Sequence, residues 1–359
     1  MRIAIFSPTV SGIGGIETAT RNLMQGFRAL GDDTHLFLLG GSYDQAWLHG
    51  VEYTQIGSPQ DARAARLAKY ALGSVRAIAS WRPDVIICSD VTTVQMARVG
   101  RLFSGARKVP IASWIHFPLN ILRLKEKLHK ADFHLAISEE IAQDLRAYLP
   151  AQRDRVFTIY NAVQADASFA VPRPAGAPVF LYAGRLNFDD HKRVNDILLA
   201  VAKLRGDWRL KIIGAAPEAR PEDGTRLHAL ADELGIQGRI EWMGWQRDPW
   251  TAAGEVTALL LSSAREGFPM ILLEAMSHGV ACVASACTGT LEIMIPGENG
   301  WVYPIADVDE LARHLQAIVD DPASLPPQAQ VQRTALRFSA EAVAQRARDA
   351  IATVKAGIV

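Results

Sequence analysis

Short apolar runs rich in β-branched residues alternate along this chain with longer segments whose apolar residues recur every three or four positions. The runs RIAIFSP, THLFLLG, DVIICSD, PIASWIH, FHLAIS and RVFTIYN are separated by segments such as GGIETATRNLMQGFRALG and SEEIAQDLRAYL. The two periods read as strands and amphipathic helices, and their alternation is that of a parallel sheet with helices on both faces. It breaks once, at QADASFAVPRPAGAP from Gln164 to Pro178, a stretch dense in breakers. It then resumes with VFLYAG, RLKIIGA, RIEWMG, VTALLLSSA and VACVAS. The expectation is an α/β chain of two Rossmann-like domains, 1–168 and 169–338, with a cleft between them. A last helical pattern over about 339–359 fits either domain and can return to pack on the first.

Length agrees with this division, since 359 residues exceed what one ordinary core holds and suit two. Hydrophobic residues at 49% and charged residues at 21% describe a soluble globular protein. No apolar run reaches the roughly 18 residues that a membrane span needs. The N-terminal MRIAIFSPTVSG reads as a first strand and not as a signal peptide, so a cytoplasmic protein is expected. Cys88, Cys282 and Cys287 lie in or beside apolar runs without metal-ligand spacing, which favours reduced core thiols. The net charge is zero, with an excess of only four positive charges over residues 1–170 and four negative ones after them. So small an imbalance argues against a nucleic-acid partner.

The segment EGFPMILLEAMSHG places Glu266 and Glu274 eight positions apart around apolar residues. VTALLLSSA before it is a near-continuous apolar run, as in a strand buried on both faces, and Pro269 suits the first turn of a helix. The helix then runs from about Pro269 to Ser277 and stops at Gly279. Glu266 falls in the loop at the carboxyl end of a strand, where open α/β sheets bind ligands. Glu274 falls about one turn into the helix. Between them Gly267, Phe268, Pro269 and Met270 lead into a helix N-terminus whose free N–H groups suit an anion. A carboxylate accepts from two adjacent hydroxyls, so such a unit can hold a ligand with both phosphates and hydroxyls, one glutamate on a ribose diol and the other on a sugar ring. The plain alternative makes Glu274 a solvated helix residue and Glu266 a loop charge.

Neighbouring motifs weigh on that choice. SGIGGIETA follows the first strand, and Gly12, Gly14 and Gly15 let backbone approach a phosphate; a tight turn explains them equally. Glu17 stands where a dinucleotide fingerprint has its third glycine, and the second strand ends without the acid that would hold an adenosine ribose, which disfavours nicotinamide and flavin enzymes. In YAGRLNFDDHKRV, Arg185 and Lys192 flank a loop from which both cations can reach a pyrophosphate, though surface cations are commonly just solvated. His116, in SWIHFPLN, follows an apolar strand and is either catalytic or a satisfied structural histidine. Asp307-Val308-Asp309 has the form of a metal-binding D-x-D, but with Glu310 it precedes a helical pattern and reads as a cap. No metal site is expected.

Taken in order, GIGGIE, His116, Arg185 with Lys192, and the E-x7-E of Glu266 and Glu274 resemble the retaining glycosyltransferases of the GT-B fold in family 4, over essentially the whole chain. VSGIGGIET, SWIHFPL, YNAV, VFLYAGRLNF, EWMGWQRDPW and EGFPMILLEAMSHG are similar to those members that add an α-1,6-galactose to the lipopolysaccharide core. The resemblance implies a UDP-sugar donor and a lipid-linked lipopolysaccharide core acceptor. It assigns Glu266 to the donor sugar hydroxyls, Glu274 to the ribose, Arg185 and Lys192 to the diphosphate, Gly14 and Gly15 to phosphate or sugar, and His116 to the sugar near the reacting carbon. Gly244, Trp245, Gln246 and Arg247 would border the uracil. The gap of six residues between Arg185 and Lys192 is longer than in many relatives. The implied chemistry is metal-independent, with front-face attack by the acceptor hydroxyl and no enzyme nucleophile. Transfer of glucose or to another glycan keeps every one of these motifs; a nucleotide-sugar epimerase of similar two-domain fold is the alternative of another enzyme class, and the intact set of charged residues speaks against an inactive binding protein. Finally, LNILRLKEKLHK carries Arg123, Lys125, Lys127 and Lys130 among apolar residues. It fits a solvated helix face, or a peripheral contact with anionic lipid on the inner face of the inner membrane.

Overall fold

The computed structural model describes residues 1–164 and 169–357, apart from the side chains at positions 63 and 64. The chain divides into two compact units, Met1–Ala162 with Phe338–Val359, and Val163–Arg337. Positions 165–168 of the breaker stretch and the last two residues of the expected final helix lie outside the described residues.

The first unit holds β1 (Arg2–Ser7), β2 (Asp33–Leu38), β3 (Tyr53–Gln55), β4 (Val85–Cys88), β5 (Ile111–Ile115), β6 (Phe133–Ala136) and β7 (Val156–Thr158). They form one parallel sheet in the order β3-β2-β1-β4-β5-β6-β7. β4, β5 and β6 are buried at every position, as strands covered on both faces must be. Strand order reverses between β1 and β4, which opens the loop after β1 at the carboxyl end of the sheet. The helix Ala340–Lys355 packs on the helix Gly15–Ala29 in this unit. Gly26 makes the approach feasible, because a Cβ there would stand 2.0 Å from the Ala340 carbonyl oxygen. Arg348 Nη1 donates to the Leu30 carbonyl at 3.0 Å beside it.

The second unit repeats the plan with β8 (Val179–Ala183), β9 (Arg209–Ile213), β10 (Ile240–Gly244), β11 (Ala258–Leu261), β12 (Ala281–Ser285) and β13 (Gly300–Tyr303). Its parallel order is β10-β9-β8-β11-β12-β13, with the reversal between β8 and β11. Here too β11 and β12 are wholly buried. Two strands go beyond those expected: β3, three exposed residues at an edge, and β13 at the edge of the second sheet. Cys88, Cys282 and Cys287 are buried and unbridged. Among the described residues no helix is long and apolar enough to cross a membrane.

Candidate active site

The reversal of the second sheet sets two loops side by side. After β8 the chain passes Gly184, Arg185 and Lys192 before the helix Val194–Val201, and after β11 it passes Ser263 and Glu266 before the helix Met270–Ser277. Lys192 Nζ and Ser263 Oγ each donate to Glu266 Oε1 at 2.6 Å. The lysine and glutamate side chains are only 15% and 13% exposed, so the pair is weakly screened. Burial raises the pKa of Glu266, but the charge and hydrogen bond of Lys192, with the Ser263 hydrogen bond, outweigh it and hold the carboxyl below its usual range. Glu266 is therefore ionised at neutral pH, and among the described residues its Oε2 accepts no hydrogen bond. The loops are also joined through backbone: Ala264 N–H donates to the His191 carbonyl at 2.9 Å, and Ser262 Oγ to that of Lys192 at 2.7 Å. Arg185 is exposed, its carbonyl takes the Tyr182 hydroxyl at 2.6 Å, and its guanidinium has no hydrogen bond among the described residues.

Glu274 lies in a different environment. Its helix begins at Met270 with Pro269 as the N-cap, one residue later than the sequence suggests, and no side chain caps it. The last turn closes with Gly279 at φ 72° and a Val280 N–H to Ala275 carbonyl bond of 2.9 Å, an end that suits glycine. Glu274 makes no ion pair among the described residues. Burial pushes its carboxyl up to about 7, against a smaller downward pull from a hydrogen bond to Trp250.

Backbone lines the rest of this sheet edge. β8, β9 and β10 each run into a glycine, Gly184, Gly214 and Gly244. Gly184 N–H donates to the Ile213 carbonyl at 2.9 Å, and Gly214 N–H to that of Gly244 at 2.8 Å. A Cβ on Gly214 would stand 1.8 Å from the Gly184 carbonyl oxygen, so no side chain fits there, whereas nothing lies within 4 Å of a Cβ on Gly244. The repeated strand-end glycine in LYAG, KIIG and WMG was the signal for Gly184 and Gly214, which sequence reasoning passed over. Trp245 is 50% exposed beside Gly244, Gln246 Nε2 returns to the Met243 carbonyl at 2.8 Å, and Arg247 is exposed. Gly267 and Phe268 lie under Gly289, where a Cβ would come within 2.9 Å of the Gly267 oxygen; Phe268 and Met270 are buried.

In the first unit, Gly14 is the N-cap of the helix Gly15–Ala29 after β1, and Gly15 is exposed. Glu17 closes this loop: its Oε1 accepts from Ser11 Oγ at 2.9 Å and Gly12 N–H at 2.6 Å. His116 follows β5, buried against Trp114 with ring centroids 4.2 Å apart. Burial pushes its imidazole down to about 3, so it is neutral, and its buried Nε2 has no partner among the described residues. The basic segment is a turn at Leu124, φ 59°, followed by the 3-10 helix Lys125–Lys130. Leu119 and Leu128 of its apolar residues are buried; Phe117, Ile121 and Leu124 are exposed near Arg123, Lys125, Lys127 and Lys130. Asp307 caps the helix Val308–Asp320 through the Glu310 N–H at 2.9 Å, and Asp309 pairs with Lys203. Among the described residues no group of three or more His, Cys, Asp or Glu gathers as a metal would require.

A family profile described as Glycosyl transferases group 1 matches residues 163–336, and one described as Glycosyltransferase Family 4 matches residues 13–167. The lipopolysaccharide 1,6-galactosyltransferase of Salmonella typhimurium is 36% identical over 329 residues, 89% of this chain and 90% of that protein. The chain belongs to the family 4 glycosyltransferases. Its fold is GT-B and its activity is glycosyl transfer. The Escherichia coli K12 lipopolysaccharide 1,6-galactosyltransferase is 34% identical, with 86% of each chain covered. Among solved structures, the apo form of the lipopolysaccharide outer core galactosyltransferase WaaB aligns over 99% of this chain and 100% of its own, with 34% identity and a TM-score of 0.81. Anabaena HepE in complex with UDP and glucose shares the fold at 18% identity and a TM-score of 0.80, covering 98% and 99%.

Proposed function

We propose that this glycosyltransferase moves galactose from UDP-galactose to a lipopolysaccharide core saccharide, with retention of the anomeric configuration and without metal. The observation that carries the reading is the contrast within the E-x7-E pair: Glu266 ionised by Lys192 with one oxygen free, and Glu274 half-buried in its helix without a cation. Two acceptor groups of different charge beside an uncommitted Arg185 fit a ligand with sugar hydroxyls, ribose hydroxyls and a diphosphate. The galactosyl donor and the lipopolysaccharide acceptor are supported by the relatives at 34–36% identity.

Departure of UDP builds negative charge on the diphosphate and positive charge on the sugar. Arg185, Lys192 and the uncapped N–H groups of the helix start at Met270 would take up the first, as preorganised donors do for a leaving group. Glu266 would hold the sugar hydroxyls through Oε2. Fixed as an ion-paired acceptor, it is unsuited to act as a general acid, which separates it from the carboxylate pair of a glycoside hydrolase. Glu274 would take the ribose diol, and Trp245 with Gly244, Gln246 and Arg247 the uracil. Gly14 and Gly15 would meet the phosphate or sugar. His116, neutral at working pH, would offer its free Nε2 to the sugar near the reacting carbon as a hydrogen-bonding group and not as a base. Attack then comes from the acceptor hydroxyl on the face that UDP leaves: its oxygen bonds the anomeric carbon as the bond to the diphosphate breaks, and its proton passes to the departing diphosphate.

A lipid-linked acceptor needs the enzyme at a surface. Phe117, Ile121 and Leu124 exposed among Arg123, Lys125, Lys127 and Lys130 suit anionic headgroups, at roughly 1 kcal/mol per cation near the surface. Changing the four cations to glutamine should abolish salt-sensitive co-sedimentation with anionic vesicles; equal binding by both proteins removes this contact. The decisive assay offers a panel of nucleotide sugars with truncated lipopolysaccharide and identifies the product by mass and linkage. Product from UDP-galactose supports the reading. Conversion of the donor without acceptor would instead mean an epimerase.

A further inference from the structure

The loop that carries Arg185 and Lys192 is held from outside by charges that take no part in the reaction proposed above. In its middle, Asp189 and Asp190 face three arginines from two other segments. Arg220 reaches Asp189 at 3.4 Å and Asp190 at 3.6 Å. Arg226, in the helix Glu222–Glu233, reaches Asp189 at 3.5 Å, and Arg265, the neighbour of Glu266, reaches Asp190 at 3.1 Å. Beneath them Asp223 is wholly buried, with Oδ1 3.2 Å from Arg220 and 3.4 Å from Arg226. The Arg226 guanidinium also lies over the Phe188 ring, 3.9 Å from its centroid.

A single exposed ion pair contributes little, because two long side chains must be ordered in high dielectric. This cluster differs in its anchor. Asp223 already fixes the guanidinia of Arg220 and Arg226, so pairing with Asp189 and Asp190 orders less that was free. The charges also balance, three acids against three arginines, so two aspartates stand between diphosphate-binding cations without adding net repulsion toward an anion. One bridge has a special position: Asp190 to Arg265 ties the loop after β8 to the residue next to Glu266, parallel to the Lys192–Glu266 pair.

We infer that Arg220, Arg226 and Arg265, acting through Asp189 and Asp190, are positioning residues that keep the Arg185–Lys192 loop in register with the Glu266 loop. Donor affinity then depends on a cluster that touches no substrate. The inference rests on the donor-binding reading of Lys192 and Glu266, and the test separates the two. UDP affinity is measured by calorimetry, and kcat and KM for UDP-galactose by turnover, on the full chain. The variants are Lys192→Ala, Asp189→Asn/Asp190→Asn, Asp189→Glu/Asp190→Glu, Asp190→Ala, Arg265→Ala and the Asp190→Ala/Arg265→Ala pair.

The asparagine variant should bind UDP about fivefold more weakly and raise the donor KM by a similar factor, with kcat within about twofold. The glutamate variant should recover most of the loss. The Asp190→Ala/Arg265→Ala double should be no weaker than its weaker single, as for residues that act through one contact. Unchanged UDP affinity in the asparagine variant, with loss in Lys192→Ala, overturns the positioning role and leaves the donor reading intact. No loss in Lys192→Ala overturns both. A fall in Tm with kcat and KM changing together marks the cluster as structural alone and also overturns the inference.

Discussion

The loop after β1 and the loop after β11 each lead from a buried strand into a helix, and each contains a glutamate. They use it in opposite ways. Glu17 is 4% exposed and turned back into its own loop, accepting from Ser11 Oγ and Gly12 N–H within six residues of itself. Glu266 is met by a lysine 74 positions away, and that lysine occupies only one of its oxygens. A carboxylate that accepts only from its own loop shapes a turn. A carboxylate that also pairs with a distant lysine joins two loops and keeps a charge at the strand ends. The glycines of the first loop are the more conspicuous sequence feature, yet the carboxylate that pairs with a distant cation lies in the second.

The sharpest way to break this comparison is to neutralise each glutamate. Glu266→Gln keeps the size of the side chain and removes its charge, and should lower kcat by between about ten- and a hundredfold, from a charged hydrogen bond contributing about 1.5–3 kcal/mol. Near-normal turnover in folded protein would contradict its contact with the donor sugar. Glu17→Ala should do the converse, leaving the Gly12 N–H without an acceptor and lowering stability by about 1–3 kcal/mol. Thermal unfolding measures this, and turnover per folded enzyme should change far less than in Glu266→Gln. Loss of activity with unchanged Tm would place Glu17 among the functional groups.

The two glutamates of the second unit also differ in charge state, which gives a pH dependence. Glu274 has its folded pKa raised to about 7, so its protonated form favours the fold. That stability is fully present below the unfolded value and is lost as pH rises through about 7. Above pH 7, Glu274→Gln should therefore be more stable than the wild type. If the ionised form takes the ribose, UDP affinity should fall about tenfold from pH 8 to pH 6, relative to Glu274→Gln, in which titration of the phosphate itself cancels. A parallel pH profile for the two proteins would contradict the assignment. Glu266, held below its usual range, adds stability that is lost only as pH falls through its lowered pKa.

The smallest expected effect belongs to Asp307, which sides with Glu17. Asp307→Ala should remove a helix cap and about 0.5–2 kcal/mol of stability, leaving kcat and KM unchanged with and without EDTA. Activity that dies in EDTA and returns with Mg²⁺ would make Asp307 and Asp309 metal ligands.

How far the sequence revealed all this varies with how local each cause is. β11 was legible because a strand covered on both faces must be apolar throughout, and the helix after it because Pro269 and Gly279 mark its ends. β3 was not, because three exposed edge residues carry no apolar period. The basic stretch at Leu119–Lys130 did not reveal its 3-10 form, since the left-handed Leu124 gives no compositional signal. In the site, the E-x7-E spacing was visible. The Lys192–Glu266 bond was not, because it depends on β8 and β11 lying side by side. Nor was the Asp189, Asp190 and Asp223 cluster, whose members lie on separate segments that only the fold brings together.

The central claim is that Glu274 holds the nucleotide and Glu266 the sugar. Calorimetric titration of UDP into wild type, Glu274→Gln and Glu266→Gln at pH 8 tests it directly, because UDP carries the ribose and lacks the sugar. Glu274→Gln should lose at least about tenfold in UDP affinity, while Glu266→Gln, with Lys192 released, should bind UDP at least as tightly as wild type. Wild-type UDP binding by Glu274→Gln, or equal loss in both variants, would contradict it.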